Sequence, residues 1–429
     1  MKPANITAFA LATPNRGDNN QLIGSFHAIS DIANPDWNYK KSFLFANNET
    51  DIFDVKEAFS YSNFENYEHF KQKVFEMINI YFQDNVIIPK IFIMVYGQTE
   101  SETAGVNVDM MCRAVKEYYD EHKLGYIVTS VLNSKYHKYK YVDLINIPKH
   151  LLTFNSRIRL IKDKSVASKT LVTVGTIHNF SKQNVIKEHK KLLTKLTKKF
   201  TDELLVKQVN KLKNFKKAAK KVVFCLGGRV EGSEIVFDIN YVDKLFNDAL
   251  LLDKAGFGVV FVNGPRTPNN VTDFLYEKSL SHPRIIFQNS KQIASDESDR
   301  TPQRWRIYSG IYEKEFKKSE ELGNVYPAVL GFKNTIVVHS LDTYACCETV
   351  NSSIPTAISA KGLYINPKIR YDCHNLYELM CPKYAIDFDD FLNSAINCNT
   401  QPKDLKLLLL SSPSRVFAET LINKLIEHS

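Results

Sequence analysis

The sequence predicts an α/β protein built on parallel sheets, and three observations carry that prediction. Two apolar, β-branched runs, Val222–Arg229 and Val259–Pro268, each stop at a glycine and an arginine. Such runs are typical of strands buried on both faces of a parallel sheet. Elsewhere, strand patterns alternate with helical ones, as βαβ units do.

In the first half of the chain, predicted strands and helices follow one another from residue 5. The predicted strands are Asn5–Ala12, Ser42–Phe45, Val86–Tyr96, Leu124–Val131 and Tyr141–Ile147. The helical patterns between them cover Leu22–Ile32, Asn66–Gln83 and Val108–Glu121.

The second half repeats the alternation. Its predicted strands are Thr170–Val174, Val222–Leu226, Val259–Val262, Arg284–Gln288, Ala328–Leu330, Thr335–Val338 and Thr356–Ile358. Its helical patterns cover the lysine-rich segment 187–221, Tyr241–Ala255, Val271–Ser279, 312–321 and Ser414–Glu427.

Composition indicates a water-soluble chain large enough for two domains. The 429 residues are 44% apolar and 24% charged, and no apolar run approaches the roughly 20 residues of a membrane-spanning helix. The seven cysteines lack C-x-x-C spacing, which favours a reduced, cytoplasmic compartment and gives no support for a zinc site. We expect an N-terminal domain over 1–165, a C-terminal domain over 166–405 and a closing helix over 406–429.

The positive charge is concentrated in residues 187–221. This segment holds thirteen lysines against Glu188, Asp202 and Glu203, while the whole chain carries a net charge of +9. Its leucines recur at helical spacing, so it is an amphipathic helix or a pair of them. One interpretation is a solvated helix face near the domain junction. The other is contact with an anionic membrane or an acidic partner; nucleic acid is disfavoured because aromatic residues do not interleave with the lysines.

The glycine-rich strand ends predict an anion site. In Gly227-Gly228-Arg229 and Gly264-Pro265-Arg266-Thr267, glycine lets backbone N–H groups approach a phosphate, and arginine supplies a forked donor. Ligands of open α/β sheets bind at such strand ends. The alternatives are ordinary tight turns, with Thr267 capping the following helix.

Glu348 follows the strand predicted at Thr335–Val338. A carboxylate beside a nucleotide site can accept both ribose hydroxyls, but it could equally be a favourable charge near a helix N-terminus. A lone histidine such as His178 is more often structural than catalytic. P-loop, α/β-hydrolase and zincin motifs do not occur in the chain.

Several short motifs occur in a fixed order along the chain. They are Gly17…Gln21…Gly24, Ile91–Gly97, Asp143…Pro148…His150, Thr173…Gly175…His178, Gly227-Gly228, Arg266-Thr267-Pro268 and Asp342…Glu348…Pro355. Together they resemble the mitochondrial-fission (elongated mitochondria) protein family, in its bacterial type. Three features depart from the family pattern. The spacing from Asp342 to Glu348 is one residue short, a single arginine stands after Gly264, and the inserts at 34–62, 99–107 and 290–324 are lengthened. Asp342 is therefore interpreted first as a helix cap.

The resemblance implies a glycosyltransferase-B-like architecture, with two Rossmann-like domains facing a cleft and a C-terminal helix crossing back. The C-terminal domain would hold a nucleotide-sugar as substrate, with Arg229, Arg266 and the glycine loops on the diphosphate and Glu348 on the ribose. No cofactor or metal is obligatory, because arginines and fixed dipoles neutralise the leaving group. The N-terminal domain would bind the acceptor, with Asp18 or His150 as the base.

Two functions follow from the resemblance. The first is a transferase that passes a sugar to a lipid or envelope acceptor, peripheral to a membrane. The second is a non-catalytic adaptor that keeps the fold and recruits a protein partner to a membrane. Fold alone does not decide whether the chain is an enzyme.

Overall fold

The structure, a computed structural model, falls into two compact units. It describes residues 6–10, 16–33, 61–84, 88–96, 104–201, 203–228, 237–264, 267–282, 284–288, 325–341, 345–360 and 371–428. The first unit is Met1–Asn179 with Ser411–Ser429, and the second is Phe180–Leu410.

The first unit is built on a five-stranded parallel sheet in the order β1-β2-β3-β4-β5. Its strands are β1 (Ala8–Ala10), β2 (Ile91–Val95), β3 (Val128–Leu132), β4 (Leu144–Pro148) and β5 (Thr170–Thr173). Its helices are α1 (Arg16–Ala33), α2 (Tyr67–Asp84), α3 (Ala104–Glu121), α4 (Phe154–Lys162) and α5 (Lys164–Ala167). Short 3₁₀ turns cover Tyr61–Asn63 and Lys149–Leu151.

Both faces of the first sheet are buried over β1 to β4, which explains the apolar runs of these strands. On β2, Phe92 and Met94 pack into a cluster with residues of α2 and α3. The alternate residues, Ile91, Ile93 and Val95, pack into a second cluster on the opposite face. Because neighbouring side chains of a strand point to opposite faces, only an apolar run satisfies both clusters.

The second unit is built on a six-stranded parallel sheet in the order β11-β10-β9-β6-β7-β8. Its strands are β6 (Lys220–Cys225), β7 (Phe257–Val262), β8 (Ile285–Gln288), β9 (Thr335–Ser340), β10 (Thr356–Ser359) and β11 (Ile386–Asp387). Its helices are α6 (Lys182–Leu196), α7 (Glu203–Lys217), α8 (Ile239–Lys254), α9 (Asn269–Ser281), α10 (Val325–Val329), α11 (Cys346–Asn351), α12 (Tyr371–Met380) and α13 (Phe388–Asn397).

The lysine-rich segment forms α6 and α7, and the apolar side of these helices is buried in the core. Leu192, Leu196, Leu212 and Phe215 are buried in one cluster with β6 and β7 residues such as Val223. On the other face of that sheet the rings of Phe224 and Phe261 stack at 4.5 Å. Nine of the thirteen lysines of 187–221 are exposed, as expected for the polar face of amphipathic helices.

The last helix, α14 (Pro413–Glu427), belongs to the first unit. Phe417 and Leu421 are fully buried in one cluster with Leu22 and Phe26 of α1. The prediction of an α/β fold with two Rossmann-like halves and a C-terminal helix that crosses back is therefore confirmed. Within the described parts of the chain, no helix is long and apolar enough to cross a membrane.

Three details differ from the sequence predictions. Residues from 166 were assigned to the C-terminal domain, but β5 pairs with β4 in the first sheet, and the contact boundary falls after Asn179. Ala328–Leu330, predicted as a strand, lies at the end of α10 and the turn after it. The sequence patterns do not predict α4, α5, α12, β11 or α13, and Ser42–Phe45 and 312–321 lie outside the described residues.

Candidate functional site

The strand order of the second sheet places a topological switch point between β6 and β9. From β6 the chain moves outward to β7 and β8, then returns to add β9, β10 and β11 on the other side. This is the strand order of a doubly wound Rossmann fold. The crevice beyond the carboxyl ends of the two central strands is where ligands of such sheets bind.

The two central strands are tied together at that edge. Gly227, two residues past β6, donates its backbone N–H to the hydroxyl oxygen of Ser340 at 2.8 Å. Ser340 is the last residue of β9 and is 2% exposed. The bond fixes the start of the predicted glycine loop against the neighbouring strand, while Gly228 follows as a buried residue.

Thr267 ties the loops after β6 and β7 to each other. Its buried hydroxyl donates to the carbonyl of Gly227 at 2.5 Å and accepts from the N–H of Gly264 at 2.9 Å. A Cβ on Gly264 would lie 2.8 Å from the carbonyl oxygen of Leu226, so only glycine fits this approach. The prediction that Thr267 caps the next helix is wrong: Pro268 is the N-cap of α9, and no side chain caps it.

Glu348 lies in the first turn of α11, the helix that follows β9. Burial raises the pKa of its carboxyl group to about 7. Its charge adds to the burial that raises the pKa of Cys225, the last residue of β6, so the carboxylate lies near the end of that strand. A carboxyl group with a perturbed pKa at a switch point is a functional-site candidate.

Several predicted site residues cannot be placed in this geometry. Arg229, Arg266, Asp342 and Gly97 lie outside the described residues. Gly17 and Asp18 lie in the first turn of α1, but the structure does not describe their side chains.

In the first unit, two of the predicted motifs meet through Asn133. The side-chain amide of Asn133 donates to the Oε1 of Gln21 at 2.7 Å. Its Oδ1 accepts from the backbone N–H of Ile177 at 3.1 Å. Asn133 has a φ of 48°, a left-handed conformation that asparagine tolerates better than most residues. Asn133 therefore joins the Gly17…Gln21…Gly24 motif to the Thr173…Gly175…His178 motif at the carboxyl end of the first sheet.

The same region is packed tightly by Gly24, Gly175 and His178. A Cβ on Gly24 would collide with the backbone of His178 and Asn179. Gly175 has a φ of 86° and accepts a hydrogen bond from the Thr173 hydroxyl at 3.1 Å. His178 is 8% exposed, and its carbonyl accepts from Ser414 of α14 at 3.2 Å. Gly24 is therefore needed for the close packing of α1 against this loop, and Gly175 for its left-handed backbone.

His150, one of the two candidate bases, is 1% exposed. Burial lowers the pKa of its ring to about 3, so it is neutral near pH 7. A base must reach the proton that it removes, and this ring is enclosed in the present structure. It lies in the short turn after β4.

Ser340 and Asn133 have site roles that the sequence patterns missed. The strand predicted at Thr335–Val338 extends two residues further, to His339 and Ser340. A signal was available, because Ser340 is a polar residue ending an apolar, β-branched run, at the position where strand ends face a ligand. For Asn133 the only signal is its residue type, which favours a left-handed turn.

A shallow open pocket of about 280 Å³ lies at the opposite end of the second sheet. Thr335, which begins β9, lines it together with Pro355, which precedes β10, and Lys182 of α6. Because strand starts lie away from the switch point, this pocket is separate from the glycine loops.

Among known proteins, the chain is similar to solved structures. No family model matches the chain, and no curated protein matches it. Among solved structures, E. coli trehalose-6-phosphate bound with UDP-2-fluoro glucose aligns at 7% identity with a TM-score of 0.35. The alignment covers 99% of this chain and 96% of that chain. A likeness at this level assigns no role to any residue of the chain, and the fission-family resemblance stays a prediction.

Proposed function

We propose that the second unit binds the nucleotide part of a nucleotide-sugar, and that the protein is a glycosyltransferase-like enzyme of the mitochondrial-fission family type. The observation that carries the proposal is the switch point between β6 and β9. Gly227, Gly228, Ser340 and Glu348 lie at or just beyond the carboxyl ends of these strands. Sheets of this topology bind nucleotides at such a point.

Each residue has a proposed role that suits its chemistry. The backbone amides of the glycine loops approach the diphosphate, and Arg229 and Arg266 pair with its oxygens. Glu348 receives the ribose hydroxyls; because its pKa is about 7, hydroxyl donors would favour its charged form and lower that pKa. As the sugar–phosphate bond breaks, the fixed donors stabilise the negative charge that develops on the diphosphate.

The acceptor is proposed to bind the first unit and to be a lipid or envelope component. Of the two candidate bases, we favour Asp18, because the ring of His150 is enclosed. Asp18→Asn should then abolish turnover while leaving nucleotide binding intact. Asp31→Asn, which changes an exposed carboxylate on the same helix, should leave both turnover and nucleotide binding unchanged.

Thermal melting with a panel of nucleoside diphosphates and nucleotide-sugars tests the proposal. At least one member should raise the melting temperature, because a ligand that binds only the folded state stabilises it. The rise should vanish in the double variant Arg266→Ala, Glu348→Ala and persist in Glu419→Ala, a surface carboxylate of α14. If no member of the panel shifts the wild-type melting temperature, the proposal fails.

The lysine face of α6 and α7 favours a second candidate function. Its exposed lysines include Lys187, Lys190 and Lys207, and Glu188 pairs with Lys191 at 2.6 Å. Such a surface suits an acidic protein partner in a non-catalytic adaptor. A complex isolated by pull-down should then survive in the variant Arg266→Ala with Glu348→Ala, but it should be lost when the exposed lysines are replaced by glutamine. The reverse result excludes the adaptor.

A further inference from the structure

Helix α4 is unusual because none of its residues is buried. Phe154 is 76% exposed and Ile161 is 78% exposed. These are the two most exposed large apolar side chains on any helix within the described ranges, followed by Leu280 at 63%. Large apolar side chains exposed together on one element mark an interaction surface more often than single exposed residues do.

The exposed apolar residues form a stripe. Phe154, the half-buried Ile158 and Ile161 lie at positions i, i+4 and i+7, which share one face of a helix, and the cation Arg157 lies on the same face at i+3. Leu160 lies off that stripe and packs against the first core cluster. The helix therefore rests on the first unit through one side and presents Phe154 and Ile161 to solvent on another.

The charge of α4 is entirely positive. Arg157, Arg159 and Lys162 are exposed, and the helix contains no acidic residue. The nearest carboxylate along the chain, Asp163, accepts hydrogen bonds from Ser165 and Val166 as the cap of α5. A short helix with apolar residues on one face and only cations among its charged residues fits the interface of an anionic bilayer.

The ends of α4 are anchored. The Thr153 hydroxyl accepts from the backbone N–H of Ser156 at 3.1 Å and caps the first turn. At the other end, α5 follows directly and buries Val166 in the same core cluster as Leu152. The side chains can therefore enter a membrane surface without unfolding of the helix.

We infer that α4 is a membrane-surface element that inserts Phe154 and Ile161 between anionic lipid headgroups. Arg157, Arg159 and Lys162 pair with the headgroup phosphates and carboxylates. The inference differs from a role for the lysines of α6 and α7, because the apolar side of those helices is already buried in the core. It is independent of the proposed nucleotide site, which lies in the second unit.

Co-sedimentation of the full chain with phosphatidylserine-rich vesicles tests the inference, with vesicles of phosphatidylcholine alone as the comparison. Phe154→Ser with Ile161→Ser should weaken binding by about tenfold, because the apolar contribution is lost. Leu280→Ser with Leu251→Ser removes two exposed apolar residues of other helices and should bind like the wild type. All four positions are exposed, so the variants should fold, and unchanged melting temperatures verify this.

A matched pair of charge variants separates α4 from the lysine-rich helices. Arg157→Gln, Arg159→Gln and Lys162→Gln should reduce binding by at least about tenfold, since three cations that attract the anionic surface are lost. Lys213→Gln, Lys216→Gln and Lys217→Gln remove three exposed charges from α7 and should have a smaller effect. Equal losses in the two triple variants would overturn the inference.

A fluorescence measurement reports the insertion itself. Phe154→Trp should show a blue-shifted emission on adding phosphatidylserine-rich vesicles, and the wild-type chain should show a smaller shift. Unchanged emission of Phe154→Trp would contradict insertion. A dimer that forms without vesicles and is lost in Phe154→Ser with Ile161→Ser would also overturn it, because the stripe would then be a self-association surface.

Discussion

The hydroxyl of Thr267 should hold the two strand-end loops of the second unit together, and Thr267→Val tests this directly. Valine keeps the shape of threonine but has no hydroxyl. The N–H of Gly264 and the carbonyl of Gly227 would then lose the partner that the structure gives them at 2.9 Å and 2.5 Å. The two loops follow β6 and β7, which are strands of the same sheet.

The size of the effect follows from the burial of these groups. Thr267 is 2% exposed, so water cannot easily replace its hydroxyl. An unsatisfied buried polar group costs about 1–3 kcal/mol. Since Gly264 is only half-buried, we expect Thr267→Val to lower the free energy of unfolding by about 2–4 kcal/mol in total.

Urea denaturation followed by circular dichroism measures this loss, and Thr267→Ser is the matched control. Serine keeps the hydroxyl and removes one methyl group, which should cost about 1 kcal/mol. The reasoning is refuted if Thr267→Val is as stable as the wild type. It is also refuted if Thr267→Ser loses as much stability as Thr267→Val, because methyl packing would then explain the effect.

Two further predictions concern single residues of the two units. Gly24→Ala should destabilise the first unit strongly, because the added Cβ would meet the backbone of His178. The control is Gly256→Ala, which has nothing within 4 Å of the added Cβ and should cost only the left-handed backbone penalty of about 1–2 kcal/mol. Equal melting temperatures for the two variants would contradict this prediction. The carboxyl group of Glu348 has a folded-state pKa of about 7, above the usual 4.5. As the pH rises from 4.5 to about 7, the wild type should therefore lose stability relative to Glu348→Gln. Above that range the difference in stability should stay constant. Urea midpoints across that pH range measure the difference, and a constant difference from acidic to alkaline pH would exclude the shift.

The sequence predicts the second sheet well because its strands are buried on both faces. The β-branched runs around Val222 and Val259 are continuous, and each ends at glycine, so strand and loop are visible together. The order of the strands cannot be predicted from the sequence, because it depends on whether β9 pairs with β6 or with β8. The switch point, and with it the role of Ser340, therefore emerges only from the fold.

Short elements and elements at the protein surface are predicted less well. Helix α4 is only nine residues long and has no buried residue, so its few apolar positions give too short a pattern to identify it. Helix α10 is only five residues long, Val325–Val329, and its short apolar run could not be distinguished from a strand by pattern. The domain boundary was misplaced because β5 follows two short helices, and nothing local indicates which sheet it joins.

The central claim is that the switch point between β6 and β9 binds a nucleoside diphosphate with Glu348 on its ribose. Isothermal titration calorimetry of uridine, adenosine and guanosine diphosphates into the wild type, Glu348→Gln and Glu419→Gln tests it most directly. The account predicts binding of at least one of the three, with proton release near pH 7 because hydroxyl donors lower the pKa of Glu348. Binding should weaken and the proton release should disappear in Glu348→Gln, with Glu419→Gln unchanged. Equal affinity and equal proton release in the wild type and Glu348→Gln, or no binding of any of the three, would contradict the account.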